Sequence, residues 1–314
     1  MPGFAVHYLF GEEILKDYRD DFVKKSIRRH RELYNIGIQG PDLFFYYFMS
    51  PFLYKRNIGS IMHTKDIGKF KKNFMYVLNK TKNEDMKMLG VAYFAGFLGH
   101  CTLDKVCHPY IYAVTDYEHK TKSYFSKHVD LETEIDSIYI RRYMDIDLYD
   151  FRRKEVIRIN DMELKGLARM FVAAFKKTYP DVKLSERRMR FIINIFNQSC
   201  YIFNDRYGIK KKIIGALEKK ILKKKVISPM FIEKKRKKTN KDVLNLNGEQ
   251  WHNPWAKDKI SKKNFDELFD IALDEYKEVL YELNDYIESG EEKNLDKAIE
   301  NISLHSGLDC CIPS

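Results

Sequence analysis

The sequence predicts an all-α fold, and three observations carry that expectation. Apolar side chains recur at helical spacing in segment after segment. No alternating strand pattern recurs along the chain. The stretch richest in metal-binding residue types is itself spaced in four-residue steps, as on a helix face.

The elements follow in order. The first eleven residues are short and apolar around His7. Ile14, Leu15, Tyr18, Phe22, Val23 and Ile27 then give an amphipathic helix over about residues 12–33. Gly37, Gly40 and Pro41 punctuate a turn, and Asp42 is placed to cap a helix beginning at Leu43. His63 is expected in a loop, with Thr64 as the cap of the helix that follows. Residues 83–107 read as a long helix whose apolar surface is nearly continuous, hence buried. Gly90, Gly96 and Gly99 cost it propensity, so a close neighbour is expected there. Pro109 is expected to end it. Further helices are read at 126–143, 164–177, 185–206 and 265–287, with Leu167, Met170, Phe171, Ala174 and Phe175 on one face of the second. The segment with both tryptophans, around 245–259, reads as turns.

The 314 residues are taken as one all-helical domain, 1–314, with a basic insertion at about 210–241. That insertion holds fourteen Lys or Arg against Glu218 and Glu233, which accounts for the whole net charge of +11. Its first half fits a basic amphipathic helix, with Ile213, Ile214, Leu217, Ile221 and Leu222 on one side. Such a stretch suits an anionic membrane surface or nucleic acid, or simply a solvated lysine-rich face. The apolar window at 43–54 is too short to span a bilayer, and no secretory leader is read. The expected location is cytoplasmic, with peripheral membrane contact. Five cysteines, two of them adjacent, fit reduced thiols rather than a disulfide framework. Cys101 and Cys107 are expected to be buried and inert.

The chemistry concentrates between residues 100 and 132. His100, Asp104 and His108 follow at four-residue steps, and His128 and Glu132 repeat the step. Imidazole and carboxylate are the donor set for zinc and related divalent ions. One such pair alone reads as a helix-surface ion pair. Two pairs plus His108, in a chain with only nine histidines, point to metal. His252 between the tryptophans reads as packing, and His305 is assigned no role.

With those residues in view, GPDLFFY, HCTLDKVCHP and HVDLE make the chain resemble the zinc-dependent phospholipase C family, whose fold is shared with zinc-dependent single-strand nucleases. The likeness covers about residues 1–145 and, more loosely, the remaining helices. It implies an all-helical domain with two or three zinc ions in a cleft. By that resemblance Asp42, His63, His100 and Asp104 hold one zinc, and His108, His128 and Glu132 a second with an open position for water. Asp104 bridges to a third, with His7 as its side-chain ligand. The family's third site also takes the amine of a mature chain beginning with tryptophan. This sequence starts Met-Pro, so removal of Met1 would let the Pro2 amine substitute. The step from Asp104 to His108 is shorter than in secreted members, and the connection to His128 is longer.

The activity implied is phosphodiester hydrolysis by metal-activated water, with Asp42 orienting or deprotonating that water. A phospholipid substrate would give diacylglycerol and a phospho-headgroup. A single-strand nuclease of the same fold is the alternative. A non-catalytic, metal-stabilised module binding a membrane or partner is a third reading. An open coordination position distinguishes an enzyme from a closed structural site.

Overall fold

Every candidate donor hangs on the helices around one buried rod. The computed structural model describes residues 3–48, 53, 56–234, 241–293 and 295–311. The rod is α6, Glu84–Val114, preceded by α1 (Phe4–Asp17), α2 (Phe22–Arg29), α3 (Arg31–Gly37), α4 (Ile58–Thr64) and α5 (Ile67–Lys80). After it come α7 (Tyr124–Met144), the short α8 (Arg153–Val156), α9 (Asp161–Thr178), α10 (Glu186–Ile202), α11 (Ile209–Ile221) and α12 (Phe265–Ser289). The fold is all-α, as the apolar spacing predicts. Among the described residues no helix is long and apolar enough to cross a membrane.

α6 is buried from Leu89 to Asp104 without a break. Helices α2, α3, α9 and α12 pack against it, and α5 lies on α9. The approach of α3 is close enough that a Cβ on Gly96 would collide with the Tyr34 carbonyl. This is the neighbour the glycines foretold. One cluster of buried apolar side chains runs from Phe4 to Leu304. Its centre is aromatic: Phe70, Phe74, Phe94, Phe97 and Phe171 are each under 2 % exposed.

Several expectations need correction. The helix read at 12–33 is three pieces, with His7 inside the first. Asp21 breaks the run, because its carboxylate accepts the Lys24 N–H and caps α2. Pro109 does not end α6, which continues to Val114. A proline costs one backbone bond to residue i−4. Here its neighbours Cys107, His108, Tyr110 and Ile111 are all buried and hold the turn in place. His63 lies in α4 rather than in a loop, and the Thr64 hydroxyl donates back to the Ser60 carbonyl instead of capping α5. Asp42 sits within a 3₁₀ turn, Gly40–Tyr46, and its carboxylate faces two histidines rather than a helix end.

The strands are short. β1 (Asn204–Asp205) pairs in parallel with β2 (Ile232–Glu233), and β3 (Trp251–Asn253) pairs antiparallel with β4 (Ala256–Ser261). The second pair occupies the tryptophan segment that was read as turns alone. All five cysteines are free. Burial pushes the Cys101 thiol up to about 12, which fits an inert side chain.

Candidate metal centre

α6 supplies His100, Asp104 and His108, α7 supplies His128 and Glu132, and α1 supplies His7. Asp42 comes from the 3₁₀ turn and His63 from α4. All eight side chains are buried, and the structure brings all eight together. Potential donor atoms of Asp42, His63, His100 and Asp104 lie within 4.8 Å of one another, as do those of His108, His128 and Glu132.

The atoms at the centre have no ordinary partners. Asp42 Oδ1, both Asp104 oxygens and the Nε2 atoms of His7, His63, His100 and His108 are buried without a hydrogen bond. They nevertheless crowd together. His100 Nε2 is 2.9 Å from Asp104 Oδ2, His63 Nε2 is 3.1 Å from Asp42 Oδ1 and 3.5 Å from Asp104 Oδ2, and His7 Nε2 is 3.2 Å from Asp104 Oδ1. Donors about 2.0–2.1 Å from a tetrahedral ion lie about 3.3 Å from each other. The spacings therefore fit donors arranged around a cation.

The far side of three rings sets their tautomers. His63 Nδ1 donates to the Gly59 carbonyl at 2.7 Å, and His100 Nδ1 to Ile38 at 3.2 Å. His108 Nδ1 donates to the Leu304 carbonyl. In neutral imidazoles this leaves the Nε2 lone pair facing carboxylate lone pairs, which repel unless a positive charge lies between. His128 differs: its Nδ1 meets Tyr124 Oη at 3.2 Å, and its Nε2 lies 2.7 Å from Glu132 Oε1.

Electrostatics favour the neutral ring at three histidines and the charged one at His63. Burial holds His7, His108 and His128 below the usual histidine range. Asp104 is held well below the usual carboxylate range despite its burial, because His100 and His108 face it. His63 is pushed up to about 9, since Asp104 and Asp42 outweigh the burial that would lower it. Neutral imidazoles beside an ionised carboxylate are what a divalent cation requires, and that cation would displace the His63 proton.

These residues belong to a recognisable pattern. Residues 6–188, which contain all eight donors, match the model of the family described as zinc dependent phospholipase C. The chain belongs to the zinc-dependent phospholipase C family. No curated protein and no solved structure matches it. Zinc dependence in this family agrees with the two buried donor groups. The notion that the Pro2 amine completes a third site falls on a residue outside those described.

The centre opens on one side into a cleft of about 330 Å³. Asp42, His128 and Glu132 line it, and Tyr46, Tyr112 and Phe196 give it an aromatic wall. Sequence reasoning missed His305, which lines the cleft. Its ring lies 5.2 Å from that of His63 and 6.0 Å from that of His108, between the two donor groups. Nothing local to His305 marks it; only the folded chain brings it back to α4 and α6. Asp136, one turn after Glu132 on α7, was also missed. It accepts the Ala5 and Val6 N–H groups at 3.1 and 2.9 Å, and so fixes the start of the helix that carries His7.

Proposed function

We propose that this chain hydrolyses the phosphodiester bond of a phospholipid, releasing diacylglycerol and a phosphorylated headgroup. Asp42, His63, His100 and Asp104 would hold one zinc, His108, His128 and Glu132 a second, and Asp104 with His7 a third. Bound zinc lowers the pKa of a coordinated water toward neutrality and stabilises charge on phosphoryl oxygens. The observation that carries the reading is the cleft wall. Asp42, His128 and Glu132 meet it, whereas His63, His100, Asp104 and His108 lie behind it. The group of three offers fewer side chains than a closed tetrahedral site uses, leaving room for water at the cleft.

The protein's own groups then have distinct tasks. Asp42 belongs to the deep group and also faces the cleft, so its carboxylate can orient the attacking water or take its proton. Tyr124 steadies His128, and Thr115 Oγ1 lies 3.2 Å from Tyr124 Oη. The aromatic wall excludes water from the far side of the substrate. The same wall could stack a nucleobase, which keeps single-strand nuclease activity as the alternative.

Elemental analysis of the untagged protein, paired with hydrolysis of bis(p-nitrophenyl) phosphate, tests the proposal. Two or three zincs per chain and chelator-sensitive hydrolysis are expected, with phosphatidylcholine cleaved faster than single-stranded DNA. Metal without hydrolysis would mean a non-catalytic module. Faster cleavage of DNA would mean a nuclease.

A further inference from the structure

Of nineteen large apolar side chains exposed among the described residues, eight fall between residues 201 and 222. Ile209, Ile213, Leu217 and Ile221 are 55, 57, 52 and 72 % exposed, and they follow at four-residue steps along α11. They form a stripe on the outer side of the helix. Tyr201, Ile202 and Tyr207, which precede α11 in the chain, are exposed as well. An apolar stripe of this length facing water has a cost unless something covers it.

The charges around the stripe are of one sign. Lys212, Lys219, Lys220, Lys223, Lys224 and Lys225 are exposed beside it or just beyond it. Between residues 206 and 225 the only acid is Glu218. Its carboxylate is turned inward and accepts the Val226, Ile227 and Ser228 N–H groups at 2.5–3.0 Å. The outer face of α11 is therefore aliphatic and cationic with no anion of its own. Aliphatic side chains interleaved with lysines suit a surface that is both greasy and negative: an anionic lipid bilayer.

The position links this face to the cleft. The three N–H groups held by Glu218 lead directly into a short turn, Ser228–Met230, and then into β2. Met230 and Ile232 line the cleft, as does Phe125, which is 42 % exposed. A bilayer under α11 would thus lie close to the residues that shape the cleft.

We propose that α11 is an interfacial helix that docks the protein on anionic phospholipid membranes, with Ile209, Ile213, Leu217 and Ile221 entering the interface and the flanking lysines pairing with lipid phosphates. This deepens the phospholipid reading above and rests on it for its purpose. The test is co-sedimentation of the full chain with phosphatidylcholine vesicles, with and without phosphatidylglycerol, at low and high salt. Stronger binding to the anionic vesicles by about tenfold or more, weakened by salt, is expected. Substituting Ile213→Ser together with Leu217→Ser should remove at least about tenfold of that binding. Both positions are exposed, and a melting curve checks the fold of the variant. Equal binding to neutral vesicles, or full binding by the double variant, overturns the proposal. So does a concentration-dependent dimer that the double variant abolishes, because a second copy would then cover the stripe. Preferential capture of single-stranded DNA, lost with the lysines but not with the isoleucine and leucine, would assign the face to nucleic acid and overturn it as well. Hydrolysis of a soluble phosphodiester by the wild-type chain reports on the metal centre separately, so either reading can fail alone.

Discussion

The two donor groups differ in depth. His63, His100 and Asp104 are fully buried and sit behind the cleft wall, and Asp42 alone of their group reaches it. In the outer group His108 is also fully buried and off the wall, but His128 and Glu132 are 8 and 7 % exposed and form part of it. Four side chains can converge in the deep group but three in the outer one. Under the proposed activity the difference separates two tasks: holding the helices together and meeting a substrate.

The severest way to break the contrast is Asp104→Asn, since Asp104 faces His7 with one oxygen and His63 and His100 with the other. Metal content should fall in the deep group and at the position Asp104 shares with His7, and kcat/KM should drop by well over the ~100-fold typical of losing a supporting residue. Unchanged metal by elemental analysis would remove Asp104 from the centre. A sharper comparison sets His100→Ala against Glu132→Ala. The first should cost on the order of 3 kcal/mol of stability, the contribution of an ion bound well above its Kd. The second should cost less stability yet abolish most hydrolysis. Equal melting temperatures for the two variants would erase the distinction.

Graded chelation should separate the groups in the same way. Hydrolysis is expected to disappear before the thermal transition moves, as the outer ion leaves first. A melting temperature that falls in step with activity would show a single, indivisible centre. His305→Ala should leave the metal in place and lower kcat/KM by about tenfold, the scale of one hydrogen bond to a charged substrate. Loss of metal in that variant would instead make His305 a ligand.

The smallest effect concerns Asp136. Burial pushes its carboxyl up to about 7, whereas an unfolded aspartate releases its proton near 3.9. The folded chain then holds the extra proton between those values, so this group's contribution to stability falls as pH rises from about 4 to about 7. The melting temperature of the wild type relative to Asp136→Asn should decline across that window. A constant difference would count against a protonated Asp136.

Much of the centre was legible because it is written in local steps. His100, Asp104 and His108, and then His128 and Glu132, carry helical spacing that needs no knowledge of the fold. His7, Asp42 and His63 have no such spacing between them and came only through the family resemblance. His305 was invisible because its role exists only across a long contact, against His63, whereas Asp136 continues the step from His128 and Glu132 and only its partner, the start of α1, was hidden. The misread boundaries share one cause. Pro109 was judged by its local preference and residues 12–33 by apolar spacing alone, but packing overruled the first and the Asp21 cap interrupts the second. For α11, the apolar spacing identified the helix but not its facing. Ile213, Leu217, Ile221 and Leu222 look outward, while Ile214 is half-buried.

The segment around Leu304 gives the centre a sense of time. The Leu304 carbonyl fixes the His108 ring across 196 residues, and Ser303 Oγ donates to the His63 carbonyl across 240. All eight donors leave the ribosome long before either contact can form. A nascent chain therefore carries all eight candidate donors before the His108 ring has its partner. The setting of the His63 and His108 rings therefore waits on the return of residues 303 and 304 to α4 and α6.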